Sequence, residues 1–149
     1  MRFVFSFLII IFLLGCNHQT LSNLDKVSVN NLHQQMLKVN QLIEELDLLL
    51  IEFQKSDELA EAIEMMETAN SEANKVVEAI KAIKFENNRL TEYRIRYEAA
   101  LIQYTGGLQL QIDGMKNWDG QKTTEGYKQT ELAKHDLNQY YEEINSQYK

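Results

Sequence analysis

The chain has 149 residues, with 15 basic and 22 acidic side chains for a net charge of −7, no proline, six glycines and one cysteine. That charge argues against a nucleic-acid binder, which needs a basic face to neutralise phosphates, and one cysteine makes neither an internal disulfide nor a cysteine-cluster zinc site. A composition of 44% hydrophobic and 25% charged residues argues against wholesale disorder, and the absence of proline permits long uninterrupted helices.

The first segment reads as an address. Arg2 is followed by residues 3–14, among which only Ser6 is not strongly apolar. The run is too short for a bilayer core of about 30 Å, which takes roughly 20 helical residues, but suits the hydrophobic region of a secretion signal. It closes in Leu13-Leu14-Gly15-Cys16. These residues resemble the lipobox of bacterial lipoproteins, a leucine three positions before a cysteine with a small residue just ahead of it. The resemblance implies diacylglycerol on the Cys16 thiol, cleavage after Gly15 and an anchored mature chain on the extracytoplasmic side of the membrane. The residue types suit that chemistry, because a thiolate is a good nucleophile for alkylation and two or more acyl chains hold stably where one is marginal. Asn17 stands where an aspartate would resemble the inner-membrane retention signal of Gram-negative lipoproteins. In a Gram-negative host this implies the outer membrane; in a Gram-positive host it is uninformative.

The expected organisation is therefore a signal peptide over 1–15, a lipidated tether over 16–21 and a helical domain over 22–149. Ser22 with Asp25 three residues later resembles a capping box and opens a helix over 22–55. Its apolar stripe holds Leu32, Val39, Leu46 and Phe53, flanked by Leu42, Leu49, Val29, Met36, Ile43 and Leu50. So wide a stripe suits a bundle helix better than a two-stranded seam. Ser56-Asp57 can cap a second helix over 57–86, with Leu59, Ile63, Met66, Ala73, Val77, Ile80 and Ile83 inward. Asn87-Asn88 is a break, since asparagine competes for backbone hydrogen bonds; a single helix over 57–118 is the alternative. The third helix, 89–118, points Leu90, Tyr97, Leu101, Tyr104, Leu108, Ile112 and Met115 inward. Leu108 to Ile112 also alternates with period two ahead of Asp113-Gly114, a hairpin signal, but the seven-residue spacing of Leu101, Leu108 and Met115 favours helix.

Trp118-Asp119-Gly120 is the expected turn into a last helix over 121–147, with Tyr127, Ala133, Leu137, Tyr141, Ile144 and Tyr148 inward. Folding the chain at Gly120 matches Gly114 with Gly126 and Gly107 with Ala133. Such pairs let two antiparallel helices approach closely and account for glycines that cost about 1 kcal/mol each inside helices. A ligand hinge at Gly106-Gly107 is the weaker reading. The series Tyr97, Tyr104, Gly107, Gly114, Asp119, Gly126 loosely resembles the C-terminal helical hairpin of small uncharacterised surface lipoproteins of Gram-positive bacteria, a resemblance that supplies no active site.

Catalytic and metal signals are weak. His135 follows Glu131 by four residues, on one helix face, but a metal needs three or four ligands and no repeated Glu-x-x-His is present. His18 lies in the tether and His33 beside the first stripe. No serine has an elbow motif, and no phosphate-binding glycine loop occurs. No metal, cofactor or enzymatic role is therefore expected.

All seven tyrosines and Trp118 follow residue 90. Most suit a wetter core between the last two helices, while Tyr93 and Tyr140 look outward and are the expected contact residues. Residues 57–86 hold eight acids against three bases, and 89–118 four bases against three acids, so Arg89, Arg94 and Arg96 are expected to pair with the second helix. The expected fold is all-α, an up-and-down bundle of three or four helices. The expected function is a lipid-anchored, non-enzymatic interaction module of the bacterial cell envelope, binding a protein or envelope component through its last two helices. The alternative is a structural spacer or self-associating coiled coil.

Overall fold

A computed structural model describes residues 21–53 and 59–148. The lipobox with Cys16, His18 and the Ser56-Asp57 cap lie outside the described residues. Among the described residues, four helices form an up-and-down bundle: α1 (Asn23–Phe53), α2 (Leu59–Ala82), α3 (Asn88–Lys116) and α4 (Gly120–Tyr148). No strand occurs among the described residues, and Leu108 to Ile112 is helical. α2 packs between α1 and α3, α3 packs most closely on α4, and α1 meets α4 along a lighter seam.

Hydrophobic burial follows the 3.6-residue period expected of bundle helices. Leu32, Met36 and Val39 of α1, Met66 and Ile80 of α2, Tyr97, Leu101, Leu108 and Ile112 of α3, and Ala133, Leu137 and Ile144 of α4 form one core. Lys134 of α4 crosses the lighter seam to Asp47 at 2.6 Å while also holding Glu131 at 2.8 Å. Burial alone would lower the pKa of this ammonium, but its hydrogen bonds to Asp47 and Glu131 outweigh that and raise it.

α2 ends at Ala82, short of the expected residue 86, and the reason is tertiary. The buried carboxylate of Asp25 accepts hydrogen bonds from the amides of Glu86 at 2.8 Å and Asn87 at 3.3 Å. The Ser28 hydroxyl donates to the Lys84 carbonyl at 2.6 Å. These bonds from α1 replace helical ones and draw the chain out of α2. The break before α3 is real: Asn87 is its N-cap, with φ −80° and ψ 119°, and its side-chain oxygen accepts from the amides of Arg89 and Leu90.

The two-fold of the α3–α4 hairpin lies between Trp118 and Asp119 rather than at Gly120. Gly107 therefore faces Thr130 and the Gly126 carbonyl, Gly114 faces Thr123, and Gly126 faces the Gln111 amide, replacing the expected Gly114–Gly126 and Gly107–Ala133 pairs. Side chains follow the shifted register. Gly126 turns inward, so Tyr127, about 100° further round the helix, is 56% exposed instead of buried.

A Cβ on Gly107 would sit 2.9 Å from the Gly126 carbonyl oxygen and the Thr130 amide nitrogen, and one on Gly126 would sit 2.6 Å from the Gln111 amide nitrogen. Backbone cannot yield as a side chain can, so Gly107→Ala should cost about 1–3 kcal/mol of stability in chemical denaturation. At Gly106 the same Cβ meets only the Gln129 side-chain amide, at 3.3 Å. Gly106→Ala should therefore be neutral or stabilising by up to about 1 kcal/mol through helix propensity, and α3 runs through both glycines without a hinge.

Candidate interaction surface

The structure separates the two expected contact residues. Tyr93 is 4% exposed, so its expected outward placement is corrected. It lies one turn before Tyr97 on the inward stripe of α3, and α4 reaches far enough to cover it. The Tyr148 ring meets it edge-on at 6.4 Å, and its hydroxyl donates to the Gln147 side-chain oxygen at 3.2 Å. The guanidinium carbons of Arg89 and Arg96 lie 5.9 and 5.1 Å from its ring centroid, within cation–π range. Tyr140 is half-buried against the core, with Arg96 5.7 Å from its ring centroid.

The arginines were expected on the acids of α2, and this too is corrected. Arg94 pairs with Glu98 of its own helix at 2.5 Å, while Arg89 and Arg96 are drawn to tyrosine faces. The α2–α3 adjacency holds through other residues: Lys116 pairs with Glu67, and the Asn70 side-chain amide donates to Gln109 at 3.1 Å.

The most exposed large hydrophobic side chain among the described residues is Trp118, at 85%. It occupies the hairpin turn with φ 56°, the one positive φ at a non-glycine residue among them. Its amide donates to the Met115 carbonyl at 3.3 Å, and the Asp119 amide to the Gly114 carbonyl at 2.8 Å. This pair of bonds is a Schellman helix end, whose left-handed residue is usually glycine. The side chain of Trp118 thus costs roughly 1–2 kcal/mol in backbone conformation and recovers little by burial.

The turn is otherwise braced. The Asp119 carboxylate accepts from the Lys122 amide at 3.0 Å at the start of α4. Asp113 accepts from the Gln109 side-chain amide at 2.9 Å and from the Lys122 ammonium at 3.1 Å, and these bonds hold its carboxyl below the usual carboxylate range. The tryptophan is therefore presented from a fixed support. The sequence placed Trp118 in the turn but centred the turn on Gly120; a glycine at that spacing masked the residue that takes the left-handed position.

The remaining candidates fall apart in space or are occupied. His33 stacks on Tyr141 at 5.5 Å. His135 is exposed, and its partner Glu131 is engaged by Lys134. Among the described residues no three His, Cys, Asp or Glu side chains are grouped to hold a metal ion, and no helix is long and apolar enough to cross a membrane. An open groove of about 470 Å³ lies between α1 and α2, lined by polar Gln35, Lys38, Gln41, Glu45 and Glu72 with apolar Leu42 and Val76 among others.

Two tyrosines give the bundle a signature in alkali. Burial pushes the Tyr97 hydroxyl far above its ordinary range, with Tyr141 adding to the rise, and burial followed by Asp47 and Glu131 does the same to Tyr104. The folded state then keeps both protons while the unfolded chain releases them above about pH 10. These two groups leave stability unchanged below that pH, and above it each lowers stability by about 1.4 kcal/mol per pH unit. The Tyr97 hydroxyl also has no hydrogen-bond partner, so Tyr97→Phe should preserve or raise stability at neutral pH and make the alkaline slope shallower by about 1.4 kcal/mol per pH unit in denaturation repeated across pH.

No family model, curated protein or solved structure matches the chain.

Proposed function

We propose that the protein is a lipid-anchored, non-enzymatic interaction module of the bacterial cell envelope, held by acylated Cys16 and contacting a protein or envelope component through the turn between α3 and α4. The observation that carries the contact surface is Trp118, nearly fully exposed in a left-handed position where glycine would be more stable. Tryptophan is the residue type most enriched at binding hot spots, and stored backbone strain accompanies functional sites. The lipobox-like Leu13-Leu14-Gly15-Cys16 supports the anchor. α3 runs about 45 Å at about 1.5 Å per residue, so Trp118 stands that far from the end of the bundle at which the chain enters α1. A lipid at Cys16 and a contact residue at Trp118 are thus suited to reach outward from a membrane.

Tyr93 has no part in this surface, and Tyr140 presents only a half-covered edge. A second reading, self-association, draws on Leu37, Leu48 and Ile51, which α1 leaves 40%, 59% and 52% exposed. Light scattering on the purified protein separates the two, with a monomer expected for the interaction module.

Trp118→Gly should raise stability by about 1 kcal/mol, by relieving the left-handed penalty. In the native host it should also abolish crosslinks formed by a photoreactive group at Gln121, while the same group at exposed Glu78, further along α2 from the turn, gives none in either protein. Unchanged crosslinks in Trp118→Gly would contradict the assignment. Cys16→Ala should lose fatty-acid labelling and leave the membrane fraction; labelling equal to the native chain would refute the anchor.

A further inference from the structure

The first two turns of α1 carry opposed faces. Asp25 and Ser28 face the α2–α3 connection and are buried. Leu24 and Val27, also three residues apart, point away from it at 49% and 62% exposure, with exposed Lys26 between them. Two further cations stand at this end. Lys84, whose carbonyl receives the Ser28 hydroxyl, is exposed, as is Arg89, two residues beyond the amide of Asn87 held by Asp25. The carboxylates at this end are exposed Glu86 and Glu92, exposed Glu142 near the end of α4, and half-buried Glu143, which lies close enough to Arg89 to favour its charge. The opposite half of the bundle carries exposed Glu44, Glu45, Glu61, Glu64 and Glu67.

We propose that this end of the bundle rests on an anionic phospholipid surface, with Leu24 and Val27 among the headgroups and Lys26, Lys84 and Arg89 against lipid phosphates. The inference rests on the acylation of Cys16. Five residues lie between Cys16 and Ser22, which makes Ser22 the sixth residue on, and a chain spans at most about 3.6 Å per residue, so Ser22, just ahead of α1, is within about 22 Å of the lipid attachment. Held so close, weak contacts act at high effective concentration. Exposed leucine and valine on a helix insert into the headgroup zone, and adjacent lysine and arginine are attracted to anionic lipid. The acids of the far half are repelled by the same surface, which favours the same orientation and leaves Trp118 pointing outward.

The single tryptophan of the chain allows a test without added labels. The full chain, acylated in a bacterial host and purified from its membranes, is reconstituted into vesicles with brominated acyl chains, with and without phosphatidylglycerol. Trp118 fluorescence should be unquenched in both. In the double variant Trp118→Phe with Val27→Trp, bromine should quench emission about twofold, and high salt or omission of phosphatidylglycerol should relieve most of it. Flotation with the vesicles but no quenching at position 27 overturns the docking alone, as does equal quenching at position 118. An emission shift at position 27 that disappears on dilution without bromine quenching assigns the face to a second copy and also overturns it. Failure to float overturns the anchor and this inference together.

Discussion

The backbone contact between Gly107 and Gly126 sets the register on which the rest of the bundle depends. Each glycine faces main-chain atoms of the opposite helix at distances that leave no room for a Cβ, so α3 and α4 can meet in this register only with glycine at both positions. The register turns Tyr127 outward and brings Tyr148 over Tyr93. It also centres the turn between Trp118 and Asp119, which gives the left-handed helix end to tryptophan. Buried Gln111 donates to Thr130 at 3.1 Å across the same interface, a polar bond that a shift in register would leave unmade.

Asp25 supplies the second constraint. A buried carboxylate is costly unless its lone pairs are engaged, and here it accepts two backbone amides that end α2 and lead into α3. One residue of α1 thus anchors the helix that carries the chain's entry to the connection between two others. The lighter α1–α4 seam relies on the His33–Tyr141 stack and the Asp47–Lys134 pair. The His33 Nε2, Asn40, Tyr97 and Asn145 side chains in this part of the bundle each have a buried polar atom without a partner, consistent with a less completely matched interface.

Periodicity made most of this fold legible. The inward series Leu32, Val39, Leu46 and Tyr97, Leu101, Tyr104, Leu108 lie in the core because each recurs with the helical turn, a property local to its own segment. Asn87 announced the break because asparagine competes for backbone hydrogen bonds, and in the fold it does so as the N-cap of α3. What escaped depends on partners distant in sequence. α2 ends early because Asp25, some sixty residues before, takes its amides. Tyr93 is buried because the end of α4 covers it. The arginines of α3 turn to tyrosine rings that their own segment does not reveal to be close. The offset of one and a half residues in the hairpin axis was enough to exchange glycine partners and reverse Tyr127. The contact surface was legible only as a tryptophan in a polar turn; its strained backbone, which marks it out, belongs to the folded hairpin.

The proposed activity joins the two ends of one helical bundle. Lipid at Cys16 would fix the end where Asp25 ties α1 to the α2–α3 connection, and the braced turn at the far end would offer Trp118 to a partner. Mass spectrometry of the protein isolated from bacterial membranes tests the central claim most directly. The account predicts an N-terminal peptide that begins at Cys16 and carries diacylglycerol on its sulfur. An N-terminus at Met1, or an unmodified Cys16 thiol in the membrane-bound protein, would contradict it.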